Sequence, residues 1–271
     1  MRRQALRVFP GLVLAVSVLL PSWAALAVPV VTPHRAVYEL KLARAADAGQ
    51  ISQAEGKLEF EWADACAVWT VSQRTHVKLI SSDGRVLEFG WTLSALEAKD
   101  GSLYRFFIRR LNPGQPPEDV KGTARIPAPG DAGMAVFETP LEAELELPAG
   151  TLFPAAHSLL LLDAAARGEA TLGRVVFDGS GDEGIFFVNA AVTEAVPAGA
   201  ELPFDTPVLE GQASWRMNLA YFHLDETIAE PQHEQALRLY ANGVVDDLIL
   251  DYGDFALRAR LKSLDALDGG C

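Results

Sequence analysis

Apolar and polar residues alternate with a period of two along most of this chain. Ala36, Tyr38, Leu40 and Leu42 are interleaved with Arg35, Glu39 and Lys41, and Leu58, Phe60 and Trp62 with Lys57, Glu59 and Glu61. Successive side chains of a strand point to opposite faces, so each run predicts a strand with one dry face and one wet face. The pattern returns at Trp69-Val71, Val77-Leu79, Leu87-Phe89-Trp91-Leu93, Trp215-Met217-Leu219-Tyr221 and Phe255-Leu257-Ala259-Leu261. Alternation of this kind marks antiparallel sheet.

Turn chemistry falls between the runs. Asn242-Gly243 predicts a two-residue type I′ hairpin, with positive φ at both positions, joining 236–241 to 244–250. Ser82-Asp83-Gly84 and Asp100-Gly101 are looser turn signals, and the Pro- and Gly-rich stretches 112–117 and 127–133 read as loops within one domain. One segment breaks the period. Residues 154–167 are rich in Ala and Leu, carry Pro154 where a first helical turn tolerates it, and are followed by Gly168 at a C′ position. Apolar residues surround this helix, so it should be buried on several sides, packed across a sheet or plugging an open barrel, and the sheet has to curve to receive it. His157, on that helix, reads as a satisfied core histidine.

The N-terminus changes the setting of the fold. Arg2, Arg3 and Arg7 precede a ten-residue apolar run, Gly11 to Leu20, and then Ala25-Leu26-Ala27. These are the three parts of a secretory leader, with cleavage expected after Ala27. The run is about half of what a helix needs to cross a bilayer, and Val28 stands where lipidation would need cysteine, so no membrane span or lipid anchor is expected after cleavage. The leader takes three of the 23 basic residues and none of the 36 acidic ones, leaving a mature chain, 28–271, with a charge of −16. That charge disfavours nucleic acid and anionic membrane surfaces as partners. The expected address is the periplasm, and 28–271 should form a single domain.

Cys66 and Cys271 are the only cysteines. In an oxidising compartment they are best read as a disulfide pair, closing a loop of roughly 200 residues. A free buried Cys66, or an intermolecular bridge through Cys271, are the competing readings. Other chemistry is scarce. Asp178, Ser180 and Asp182 are spaced like the start of a calcium loop, but Glu183 stands where the sharp turn needs glycine, and a hairpin turn explains the same residues. His34, His76, His157, His223 and His233 lack zinc-site spacing. There is no Gly-x-Ser-x-Gly elbow and no phosphate-binding glycine loop. No catalytic residue, metal or cofactor is therefore expected.

Five stretches resemble the EipB-like cell-envelope integrity proteins, a periplasmic family of alphaproteobacteria: His34–Leu40, Trp62–Gln73, Leu152–His157 entering the helix, Ser214–Phe222, and Asn242–Val245 running into Leu250–Phe255. The resemblance spans residues 34 to 271. It implies a single antiparallel sheet wound into a spiral, or partly open barrel, an internal disulfide whose cysteines carry over to Cys66 and Cys271, and a role in envelope integrity under stress. It carries over no catalytic residues.

The expected function is non-catalytic support of the envelope through binding another envelope component, a periplasmic protein among them. Carriage of an apolar ligand such as a lipid or acyl chain is the principal rival, and a metal-free hydrolase the third reading. A deep cavity lined by residues such as Phe106, Ile108, Trp215 and Leu219 would favour cargo. If the disulfide forms, Cys66→Ser should lower thermal stability, by up to about 5 kcal/mol of unfolding free energy, and shorten survival in a protease-rich periplasm. Non-reducing peptide mapping, with melts of parent and variant, checks this; two free thiols in periplasmic protein would contradict it.

Overall fold

In the computed structural model, residues 30–46, 51–180, 184–202, 204, 206–224 and 229–270 are described. The predicted leader, residues 181–183 of the Asp178–Gly184 loop, and Cys271 lie outside them. The described residues form fourteen antiparallel strands in one sheet and a single α-helix. The strands are β1 (His34–Ala45), β2 (Ile51–Ala65), β3 (Val68–Ser81), β4 (Val86–Ala98), β5 (Leu103–Leu111), β6 (Glu118–Arg125), β7 (Gly133–Thr139) and β8 (Ala143–Leu147). After helix α1 (Pro154–Ala166) come β9 (Thr171–Phe177), β10 (Ile185–Val196), β11 (Ser214–His223), β12 (His233–Tyr240), β13 (Val245–Asp251) and β14 (Phe255–Ala266). Trp69-Val71 and Val77-Leu79 belong to one strand, β3.

The sheet runs β8-β7-β6-β5-β4-β3-β2-β1-β14-β13-β12-β11-β10-β9. Its two edges, β8 and β9, are consecutive in the chain, so the sheet curls nearly into a closed barrel with a single seam. At that seam Leu152 makes one parallel bridge to Val176: its N–H donates to Val175 O at 2.9 Å and its carbonyl accepts from Phe177 N at 3.0 Å. Alternation then separates inside from outside. Ala36, Tyr38 and Leu40 of β1 are buried, as are Leu257, Ala259 and Leu261 of the paired β14.

The β12–β13 hairpin differs from the expected type I′ turn. Gly243 N donates to Tyr240 O and Tyr240 N to Val244 O, both at 2.8 Å, which makes a three-residue loop. Gly243 alone takes a positive φ, +85°, as the third position of such a loop requires. Asn242 uses its side chain instead, donating from Nδ2 to Val208 O at 2.7 Å and so fastening the 197–213 connection to the hairpin.

Helix α1 begins and ends for separate reasons. Phe153 is extended, Pro154 fills the first turn, and Gly168 at φ +78° closes the C-terminus, donating to Ala165 O while Glu169 N donates to Ala164 O. That is the Schellman arrangement, which satisfies carbonyls the helix leaves open. Ala155, Leu161, Leu162, Ala164 and Ala165 pack with Trp62 and Trp69 from one side of the sheet and with Val176, Val188, Met217 and Leu219 from the other. The helix is thus an internal strut between opposite walls. A second core, between β5–β8 and the seam, is an aromatic cluster of Tyr104, Phe106, Phe137, Phe153 and Phe177.

Because Leu161 is buried and Leu160 half-buried, an aspartate at either position should destabilise the fold, Leu161→Asp the more severely and by several kcal/mol. Urea melts read this directly. Two unchanged midpoints would mean that the helix lies outside the core.

Candidate functional site

The strut leaves space beside it. The barrel interior holds a cavity of about 800 Å³, walled by inward side chains of β1–β5, β9 and β11–β14 and by one face of α1. Its lining is mainly apolar: Leu58, Phe60, Val77 and Leu79 from one wall, Leu219, Leu237, Leu248 and Leu257 from others. A volume of this size lies within the range of about 300–1,000 Å³ in which proteins hold small ligands.

Two of the residues expected to line such a space, Ile108 and Leu219, border it. Phe106, two positions before Ile108 on the same face of β5, is drawn instead into the aromatic cluster, 5.5 Å from Tyr104 and 5.7 Å from Phe177 between ring centroids. Trp215 has the inward parity of Met217 and Leu219 but packs against the helix cluster. Phe106 is therefore core and Trp215 a half-buried neighbour of the core, and neither is among the residues lining the cavity.

Polar groups on the wall are mostly committed to the protein. His34 Nδ1 lies 2.8 Å from Thr32 O, Tyr38 OH donates to Val245 O at 2.7 Å, and Tyr104 OH donates to Asp178 O at 3.1 Å. Asp178 closes on its own loop, accepting from Ser180 N at 2.8 Å, and Arg110 donates to Ser180 O. Burial raises the Asp178 carboxyl, against the hydrogen bonds from Ser180 that lower it.

His157 departs from the satisfied histidine of the sequence reading. It borders the cavity but is buried at 5 % exposure, and its Nε2 has no hydrogen-bond partner among the described residues. Trp62, also 5 % exposed and on the cavity wall, has its Nε1 unpartnered in the same way. Burial, and secondarily the positive charge of Arg174, lower the His157 pKa to about 4, so the ring is neutral near pH 7.

Glu97 is the polar residue that sequence reasoning missed. It sits on β4 in phase with Leu87, Phe89, Trp91 and Leu93, so a carboxylate at an inward position was the available signal. Its oxygens accept from Ala155 N and Ala156 N, each at 2.7 Å, and cap the helix that has no cap of its own. At 3 % exposure, burial outweighs these two bonds and pushes its pKa to about 7.

Cys66 occupies the β2–β3 turn with φ 63°. The C-terminal tail ends against it: Gly270 N donates to Asp64 O at 3.0 Å, and Gly270 O lies 3.4 Å from Cys66 Sγ. Among the described residues, no group of three or more His, Cys, Asp or Glu side chains is arranged to hold a metal ion, and no helix is long and apolar enough to cross a membrane.

Comparison with known proteins places this geometry. The EipB-like family model matches residues 25–268. The cell envelope integrity protein EipB of Brucella abortus (strain 2308) is 32% identical over 250 residues, covering 88% of this chain and 85% of that protein. A crystal structure described as a beta-barrel-like protein of a domain of unknown function, also from Brucella abortus, superposes with a TM-score of 0.78 at 27% identity, over 88% of this chain and 99% of the other.

Glu97 and His157 have opposite consequences for stability. Folded Glu97 keeps its proton up to about pH 7, whereas an unperturbed glutamate releases it near 4.5, so its contribution is full below pH 4.5 and is lost as pH rises through 7. The contribution of His157 is present above its ordinary value of 6.5 and is lost as pH falls through about 4. Taken from pH 7 to 4.5, Glu97→Gln should lose more stability than the parent and His157→Phe should lose less, each by roughly 2–3 kcal/mol across the window. Urea midpoints over this pH series check both signs, and parallel curves for all three proteins would contradict the assignment.

Proposed function

The chain belongs to the EipB-like family, and from that premise we propose that it supports the cell envelope without catalysis, by holding an apolar or acyl-bearing envelope component inside its barrel. The observation that carries this reading is the cavity. A barrel meant only as a scaffold gains stability by filling its interior, since unfilled apolar volume forfeits packing. Here about 800 Å³ stays open behind a wall dominated by Leu, Phe and Val. The relative from Brucella abortus is named for cell envelope integrity, which supports a role in the same process for this chain.

The setting we propose is the periplasm, reached through the leader at 1–27, with residues 28–271 as one domain. There Cys66 would bond to Cys271. The tail supports this pairing, because Gly270, the residue before Cys271, is already hydrogen-bonded beside Cys66. A mature charge of −16 keeps such a carrier from resting on anionic headgroups, so cargo would be exchanged through transient contact.

Filling the cavity should therefore abolish function while the fold survives. Ile108→Trp and Leu219→Trp each place a large ring where the wall now borders open space. Deletion of the gene should sensitise cells to detergent and to cell-wall antibiotics. Folded cavity-filled variants should fail to restore resistance and should lose at least about tenfold in affinity for the neutral dye N-phenyl-1-naphthylamine. Full rescue by both variants, with dye binding lost, would show that the cavity is not what the envelope needs.

A further inference from the structure

The cavity meets solvent at one end of the barrel. Among the described residues that line it, three are exposed: Leu111 at 45 %, Tyr252 at 39 %, and Asn112. Leu111 and Asn112 stand where β5 ends and Tyr252 where β13 ends, and these two strands run in the same direction through the antiparallel sheet, so all three residues belong to one end. The lining toward the opposite end, His34, Trp62 and Gly243, is buried. There Thr32 N donates to Asn242 O at 2.9 Å, tying the segment before β1 to the β12–β13 hairpin. Free polar groups follow the same axis. Asn112 and the half-buried Gln235 bring amides that both donate and accept to the mouth, whereas the deeper Tyr38 and Tyr104 hydroxyls already donate to Val245 O and Asp178 O.

We propose that the cargo lies along the barrel with its apolar chain directed inward, toward Trp62 and α1, and its polar group left at the mouth framed by Leu111, Asn112 and Tyr252. The proposal rests on the carrier reading above. Seating the chain against Leu58, Val77 and Leu79 removes apolar surface from water, which is favourable in proportion to its area. Seating the polar group there instead would strip its water beside hydroxyls whose protons are already committed, which costs free energy. Tail-first entry keeps the polar group hydrated throughout. Two tryptophans on the lining mark the two depths. Trp91 follows Gly90, the residue paired with Leu111, and stands opposite Thr75 of β3. Trp62 stands opposite Val71 of β3, four residues or about 13 Å further from the mouth along the strand. A ten-carbon chain is of comparable extended length.

The test adds methyl 10-bromodecanoate, with bromine at the tail, or methyl 2-bromodecanoate, with bromine beside the ester, to the full-length mature protein and follows tryptophan fluorescence, since bromine quenches an indole that it touches. Displacement of N-phenyl-1-naphthylamine by each ester, measured separately, establishes that the cavity is occupied. The tryptophans of the mature chain are Trp62, Trp69, Trp91 and Trp215, of which Trp62 and Trp91 line the cavity. The proposal expects Trp91→Phe to lose most of the quenching by the 2-bromo ester and to keep that by the 10-bromo ester, and Trp62→Phe to do the reverse. If Trp62→Phe does not fold, Trp91→Phe, at a half-buried position, carries the comparison. The opposite pattern, or equal quenching by both esters in parent and variants, overturns the orientation and leaves the carrier standing. Esters that displace the dye without quenching any tryptophan overturn it as well. A parent that binds neither dye nor ester overturns both.

Discussion

The pairing of β1 with β14 is the contact on which the architecture rests. Every other neighbouring pair in the sheet joins strands consecutive in the chain, so local closure is enough to form it. The β1–β14 ladder runs from His34 opposite Ala266 to Ala45 opposite Phe255, and it carries the largest loop-closure cost in the molecule. Its consequence is topological. Once β1 and β14 are neighbours, the sheet can end only at β8 and β9, and the link between these edges has to cross the interior side of the seam. That link is α1. A covalent tie between Cys66 and the C-terminal tail would act on the same closure, since the tail follows β14 directly.

The cavity follows from this arrangement. A curled sheet of fourteen strands encloses more volume than its own side chains fill, and among the described residues a single thirteen-residue helix enters it. The helix brings its N-terminal amides into an apolar space, where they need an acceptor. Glu97 supplies one from the opposing wall, at the expense of a carboxyl whose pKa rises to about 7. The helix also brings His157 to the cavity without a partner. A single strut thus determines the shape of the space and the placement of its polar atoms.

Those strands whose inward residues are large were legible in the sequence. Leu58, Phe60 and Trp62 of β2, or Leu87 to Leu93 of β4, contrast sharply with the charges between them. On β6 the buried residues are Val120, Gly122 and Ala124, which give too little contrast to announce a strand. The helix and its glycine stop were readable because propensity and capping agree there. The Asn242-Gly243 turn was located correctly but assigned the wrong loop length, because a dipeptide does not say that the asparagine side chain is needed to hold Val208 O. The site was less legible than the fold. Parity places Phe106 and Ile108 on one face, yet only the winding of the sheet decides that one meets Tyr104 and the other open space. Glu97 was visible as an acid in an apolar phase, but the amides it caps are more than fifty residues away.

The central claim is that the barrel is a container in use. Its most direct test is native mass spectrometry of the protein purified without detergent from the cells that make it, followed by solvent extraction and analysis of whatever is released. The account predicts a mass above that of the polypeptide alone, and an extract containing an acyl-bearing molecule in about one-to-one ratio with protein. A bare polypeptide mass with an empty extract, from cells in which the same protein confers envelope resistance, would contradict it.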